Sequence, residues 1–118
     1  MSLDINQIAE AFSTHRFAEA YPHLSDNIIW NILGDEVLMS REAVINKCEE
    51  SAKYLETVST TFVKLRIIRA DLYVVVDSVA EYQDNESQTS SVASCDIYQF
   101  SDEQLVEITS YNIELNKQ

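Results

Sequence analysis

The front of the chain carries apolar residues at helical spacing. Asp4 and Gln7 stand in the positions of a capping box, the pattern that begins a helix. The apolar residues that follow repeat every three to four positions: Ile5, Ile8, Ala9 and Phe12. Residues 13–15 break this pattern, and residues 17–24 predict a second, short helix that Pro22 shortens or kinks.

A strand and a third helix come next. Residues 25–27 are Ser, Asp and Asn, which favour a turn. The apolar run of residues 28–33 predicts a strand that closes at Gly34. Ser40 is suited to cap a third helix. The apolar face of that helix is formed by residues at helical spacing: Val44, Ile45, Cys48, Ala52 and Leu55.

From residue 57 onward the pattern changes to period two. Residues 62–69, 72–83, 89–100 and 104–115 each alternate as strands do, with short polar connections between them. Connections this short join antiparallel neighbours, and strands this long twist and curl in a sheet. We therefore predict one α+β domain over residues 1–118, with three helices packed on a curved antiparallel sheet.

Several strands are apolar on both faces, notably at residues 67–68 and 74–76. An antiparallel sheet with one face in water should alternate cleanly between apolar and polar residues. The helices can cover one face only. A second copy of the chain is the simplest cover for the other face, so the pattern predicts a homodimer formed through the sheet.

The composition limits the classes of binding partner and the cellular location that we expect. The 118 residues include 20 acidic and 8 basic ones, for a net charge of -12. Binding to nucleic acid or to anionic lipid requires basic residues, so both are excluded, while a basic protein partner stays open. Cys48 and Cys95 lack a CxxC spacing, and Cys48 is predicted to be a buried free thiol. The first residues do not form a signal peptide and no apolar run has the length of a membrane span, which predicts a cytoplasmic protein.

Three segments resemble the nuclear transport factor 2-like superfamily, in its ketosteroid isomerase-like and polyketide cyclase-like branches. Residues 24–34 resemble the motif L-x-D-D-V-V-W-x-x-P-G, with Leu33 in place of the proline. Residues 40–45 resemble a helix start G-R-E-A-I, with Ser40 in place of the glycine, and residues 96–108 resemble the last two strands. The resemblance implies a cone-shaped domain with a central pocket between helices and sheet. It fixes no reaction, because the superfamily includes enzymes and non-catalytic proteins.

The resemblance also implies candidate site residues. Asp96 matches the aspartate that donates to the enolate oxygen in ketosteroid isomerases. The catalytic base of that mechanism falls at Asn31 or Ile32, neither of which can take up a proton at neutral pH. The tyrosine of that mechanism falls near Ile8. Two of the three roles are therefore missing. The predicted catalytic residues are Asp96 and Asn31, and the predicted pocket residues are Ile8, Phe12, Trp30, Asn31, Val44, Asp96 and Tyr98.

Three functions are compatible with these residues. The first is a pocket that binds a small, mostly apolar molecule, without a complete isomerase set. The second is a lyase or isomerase for a small cyclic or hydroxy/keto substrate, with Asp96 and Asn31 as its polar groups. The third is an interaction module for a basic protein. We predict no cofactor and no metal site, since no HxH, HExxH or Cys/His cluster occurs. His15 and His23 lie at helix ends, where a solvated or capping histidine is expected.

Overall fold

The computed structural model describes residues 3–115. Helix α1 (Ile5–Ser13) and helix α2 (Phe17–Ala20) precede a 3-10 turn (Tyr21–His23), and α3 spans Arg41–Leu55. The strands are β1 (Leu24–Ile32), β2 (Glu36–Met39), β3 (Val58–Ala70), β4 (Tyr73–Asp84), β5 (Thr89–Ser101) and β6 (Gln104–Glu114). They form a single six-stranded sheet in the order β2-β1-β6-β5-β4-β3. The predicted α+β class, with helices on a sheet, is confirmed.

The predicted helix starts are confirmed by their caps. The Asp4 carboxyl accepts from the Gln7 backbone N–H at 2.8 Å, and the Gln7 side chain accepts from the Asp4 N–H at 2.9 Å. The Ser40 hydroxyl accepts from the Ala43 N–H at 3.1 Å and begins α3. Pro22 lies in the 3-10 turn, so α2 is as short as predicted. These bonds satisfy N–H groups that have no partner inside the helix.

One prediction for the first strand was wrong, and the short strand that follows it was not predicted. Residues 25–27 do not form a turn but belong to β1, where the pairing with β6 shifts between Leu24 and Ile29. The irregularity accommodates the polar residues without ending the strand. The chain then reverses at Gly34, whose φ of 79° suits a residue without a side chain, and forms β2, which the sequence pattern did not predict.

The sheet is mixed rather than wholly antiparallel. The pairs β1–β2, β3–β4, β4–β5 and β5–β6 are antiparallel, but β1 and β6 run parallel. Between these two strands the chain returns through β2, α3 and the β3–β5 meander, so β6 arrives beside β1 in the same direction. A parallel pair needs such a long connection, which a hairpin does not provide.

The two sheet faces differ in burial. On β4, Val74, Val76, Ser78 and Ala80 are buried, whereas the residues between them are more exposed. We call the buried side, which carries the helices, the inner face, and the opposite side the outer face. The core lies between the helices and the inner face and includes Ile8, Val44, Cys48, Tyr98, Phe100 and Ile108. Cys48 is a buried free thiol, as predicted. Among the described residues, no helix is both long and apolar enough to cross a membrane.

Candidate functional site

A cavity of about 680 Å³ opens between the helices and one half of the inner face. Helix α3 lines it with one helical face, from Lys47 to Leu55, and α1 contributes its C-terminal residues. Six aromatic side chains form much of the wall: Phe12, Phe17, Trp30, Tyr54, Phe62 and Tyr82. Six serines supply hydroxyl groups: Ser13, Ser51, Ser78, Ser90, Ser94 and Ser110. The volume and the mixture of rings with few charges are typical of a small-molecule site.

Asp96 lies at the centre of the polar part of the cavity. It stands on β5 directly opposite Ser110 of β6. Ser13 at the end of α1 donates its hydroxyl to Asp96 Oδ2 at 2.8 Å, and Ser110 and Tyr98 also bond to this carboxyl. Trp30 Nε1 donates to Ser110 Oγ at 2.9 Å. A connected set of neutral polar groups therefore holds the Asp96 carboxyl in place.

Desolvation decides the ionisation of this group. Burial raises the pKa of Asp96 above its ordinary value of 3.8, and the three hydroxyl bonds only partly oppose the rise. Tyr98 bonds to Ser13 at 2.5 Å between the two oxygens, and burial raises the pKa of its phenol well above 10.0. No ion pair found within residues 3–115 includes Asp96. A carboxyl group with a raised pKa in a cavity is a candidate for a functional role.

His15 lies among aromatic rings on the cavity wall. Its ring centroid is 5.3 Å from that of Phe62, 5.7 Å from that of Phe17 and 6.2 Å from that of Tyr82, which it stacks upon. Burial lowers the pKa of the imidazole from 6.5, so it is neutral at pH 7. The expectation of a solvated or capping histidine was therefore wrong for His15. Its place between Phe12 and Phe17, two residues that face the core, was the available signal.

The structure separates the predicted site residues into three groups. Phe12, Trp30 and Asp96 line the cavity. Ile8 and Val44 are buried in the core behind it, and Tyr98 is fully buried and meets the site through Ser13 and Asp96.

Asn31 does not line the cavity. It pairs with Val37 of β2 and Thr109 of β6, and its neighbour Trp30 occupies the inner face. Because successive strand residues point to opposite faces, Asn31 lies on the outer face. The structure therefore does not bring Asn31 and Asp96 together, and the predicted polar pair does not exist.

Sequence reasoning missed the serines of the inner face. Ser78 of β4 stands opposite Ser94 of β5, and Ser94 donates to the Asn112 side chain at 2.8 Å. The available signal was the recurrence of serine at alternate positions of the predicted strands. It was missed because alternating residues are also what an ordinary strand contains.

The charges around the cavity are mainly negative. Asp96, Glu50 and Glu114 are among its lining residues, together with one lysine, Lys47. The Lys47 ammonium lies 2.7 Å from the Glu36 carboxylate, outside the lining. The cavity thus combines aromatic rings and hydroxyl groups with more acidic than basic side chains.

Comparison with solved structures gives relatives for this fold. An NTF2-like protein of unknown function from Cytophaga hutchinsonii ATCC 33406 matches with a TM-score of 0.79 and 31% sequence identity, over 90% of this chain and 93% of that chain. An NTF2-like protein from Burkholderia xenovorans LB400 has a TM-score of 0.70 and 12% identity, over 90% and 83%. An LEH-like epoxide hydrolase from M. tuberculosis has a TM-score of 0.67 and 13% identity, over 92% and 81%. The last two likenesses show the fold alone. No family model and no curated protein matches the chain.

Proposed function

The chain belongs to the NTF2-like (nuclear transport factor 2-like) family, and we propose that it binds a small, mostly apolar molecule in the cavity. The observation that carries the proposal is the cavity of about 680 Å³ with six aromatic side chains in its wall. Binding sites for small organic molecules have this size and combine apolar walls with a few fixed polar groups. Here the fixed groups are Asp96, Ser13 and Ser110, which already bond to one another.

A thermal-shift screen with a library of lipophilic metabolites tests this proposal. A ligand present at 100 times its dissociation constant stabilises the folded state by about 2.7 kcal/mol. For a chain of this size that corresponds to a rise in Tm of about 10 °C. Several related hits are the expected result. A library of broad chemistry that leaves Tm unchanged would count against a binding function.

Proton-transfer catalysis is the second candidate function. It is favoured by two groups of the same cavity, the buried Asp96 carboxyl with its raised pKa and the neutral His15 imidazole with its lowered pKa. Such a pair would suit a lyase or isomerase acting on a small cyclic or hydroxy/keto substrate. Turnover of a panel of cyclic ketones and hydroxy acids should then be lost in Asp96→Asn. The matched control Asn31→Ala, on the outer face, should keep full activity. Equal activity of both variants would exclude this mechanism.

We also propose that the domain is a homodimer through its outer face. Large apolar residues stand exposed there, including Met39 at 67%, Ile113 at 64% and Val37 at 55%. Tyr73, Tyr111 and Ile68 add to the same face at 44–49% exposure. Soluble monomers rarely leave a patch of this kind uncovered, and a two-fold contact would bury it on both copies.

Sedimentation equilibrium at micromolar concentration tests the assembly. The expected species has twice the mass of the 13.5 kDa chain. Ile113→Glu should convert it to a monomer, because it places a charge in the exposed apolar patch that the contact would bury. Leu33→Glu is the matched control, since Leu33 is exposed in the turn between β1 and β2 rather than on the sheet. A 13.5 kDa species in the unmodified protein would contradict the proposal.

A further inference from the structure

The charge balance of the cavity points to the chemistry of its ligand. Three carboxyl groups are among the lining residues, and the lysine of the same wall is already paired with Glu36. The His15 imidazole adds no positive charge at neutral pH, because burial lowers its pKa. An anionic ligand would therefore enter a cavity with no unpaired cation among its described lining residues. A cationic ligand would meet attraction from every charged group that remains.

Asp96 has partners but no counter-charge. Its partners are the hydroxyl groups of Ser13, Ser110 and Tyr98, all of them neutral. An ionised carboxylate has about four lone-pair positions for hydrogen bonds, so three hydroxyls leave room for a further donor. A buried carboxylate without a cation is costly, and a cation from the ligand would offset that cost.

Aromatic rings stand around the same space. Phe12 packs edge-on against Trp30, with ring centroids 5.0 Å apart, and both line the cavity. Phe62 and Tyr82 line it from β3 and β4 and surround the His15 ring. Faces of such rings attract organic cations, and the same rings cover the apolar part of a ligand.

We propose that the ligand of this cavity is an organic amine, whose protonated nitrogen bonds to Asp96 and whose apolar body packs against Phe12, Trp30 and Phe62. The inference rests on the proposed binding function and adds the chemical class of the ligand. A neutral hydroxylated molecule is the competing occupant, since the serines of the wall could bind its hydroxyl groups.

Three probes of one shape separate these occupants. The probes are 3-phenylpropylamine, 3-phenylpropan-1-ol and 3-phenylpropanoate, titrated calorimetrically into the full chain at pH 7. The amine should bind at least about 10-fold more tightly than the alcohol, because a charge-assisted hydrogen bond replaces a neutral one. The carboxylate should bind most weakly. An alcohol that equals the amine would overturn the amine inference and leave the binding function standing. Failure of all three probes would overturn both.

Two variants then test whether Asp96 causes the preference for the amine. Asp96→Asn should bring the affinity for the amine down to that for the alcohol, and should leave alcohol binding within about 3-fold. Asp102→Asn is the matched control, because Asp102 is exposed in the β5–β6 turn at a φ of 51° that asparagine adopts readily. It should bind all three probes as the unmodified protein does. A preference for the amine that survives in Asp96→Asn would refute the role of Asp96. Should that variant not fold, the order of the three probes on the unmodified protein decides the proposal.

Discussion

Replacement of Asp96 by Asn should make the unliganded protein more stable at neutral pH. The carboxyl is desolvated and held by neutral hydroxyls from Ser13, Ser110 and Tyr98, and its pKa is raised above 3.8. Asn has nearly the same shape: its side-chain oxygen can accept two of these bonds, and its amide N–H can donate to a hydroxyl group that rotates to accept it. It carries no charge that burial would penalise. Residues that serve a ligand are often suboptimal for the empty fold.

The direction and size of this change in stability follow from the linkage between protonation and folding. A carboxyl whose pKa is higher in the folded than in the unfolded chain contributes stability at low pH, and loses it as pH rises from the unfolded value through the folded one. Above both values, each unit of the difference costs the folded state about 1.4 kcal/mol. Asp96→Asn removes this cost and should therefore raise both the free energy of unfolding at pH 7 and the Tm. This advantage should shrink as the pH falls toward 3.8, the ordinary value for aspartate.

Urea denaturation of the unmodified protein, Asp96→Asn and Asp102→Asn between pH 4 and pH 8 measures this effect. Other carboxyl groups titrate alike in all three proteins, so their effects cancel in the differences. Asp102→Asn should follow the unmodified protein at every pH. An Asp96→Asn protein that is less stable at pH 7, or whose advantage does not change with pH, would refute the reasoning.

Two further predictions concern the fold. Asp4→Ala removes the side-chain half of the α1 capping box and should cost about 1 kcal/mol of unfolding free energy in urea denaturation, while the exposed control Asp102→Asn should cost less. Equal losses would contradict the role of the cap. Burial raises the pKa of the Cys48 thiol to about 12. In the native protein at pH 8 this thiol should therefore not react with a thiol reagent, and denaturation should make it reactive. Modification of native Cys48 at the rate of a free thiol would contradict its burial.

Local signals in the sequence were enough for most elements. Asp4 and Ser40 begin helices because each places an oxygen where a free N–H needs an acceptor. The long strands β3 to β6 follow from alternation and from short connections. These features depend on neighbours along the chain, so a single sequence contains them.

The pairing of strands that are distant in sequence could not be predicted from such local signals. The parallel contact of β1 with β6 depends on where the chain returns after α3 and the meander. Strand β2 has four residues, too few for an alternating pattern to stand out. The turn-forming residues 25–27 remain in β1 because an irregular pairing with β6 accommodates them.

The site shows the same limit. Asp96 was identified through a resemblance of the last strands, and it lies at the cavity. The register of the first strand was uncertain by one residue, and a shift of one residue moves every side chain to the opposite face of the sheet. Trp30 therefore occupies the cavity where Asn31 was also considered. For His15, the neighbouring core residues Phe12 and Phe17 were a signal, but its φ of 73° after α1 could not be read from the sequence.

The most direct test of the binding function uses Trp30, the single tryptophan of the chain and part of the cavity wall. A ligand that enters the cavity should change its fluorescence and give a saturable titration. Ser94→Phe places a ring in the cavity and should abolish that change, whereas Ser59→Phe places the same ring at an exposed position of β3 outside the lining and should preserve it. Saturable quenching in the unmodified protein and Ser59→Phe, with none in Ser94→Phe, is the predicted result. The same titration in all three proteins would contradict a ligand site in this cavity.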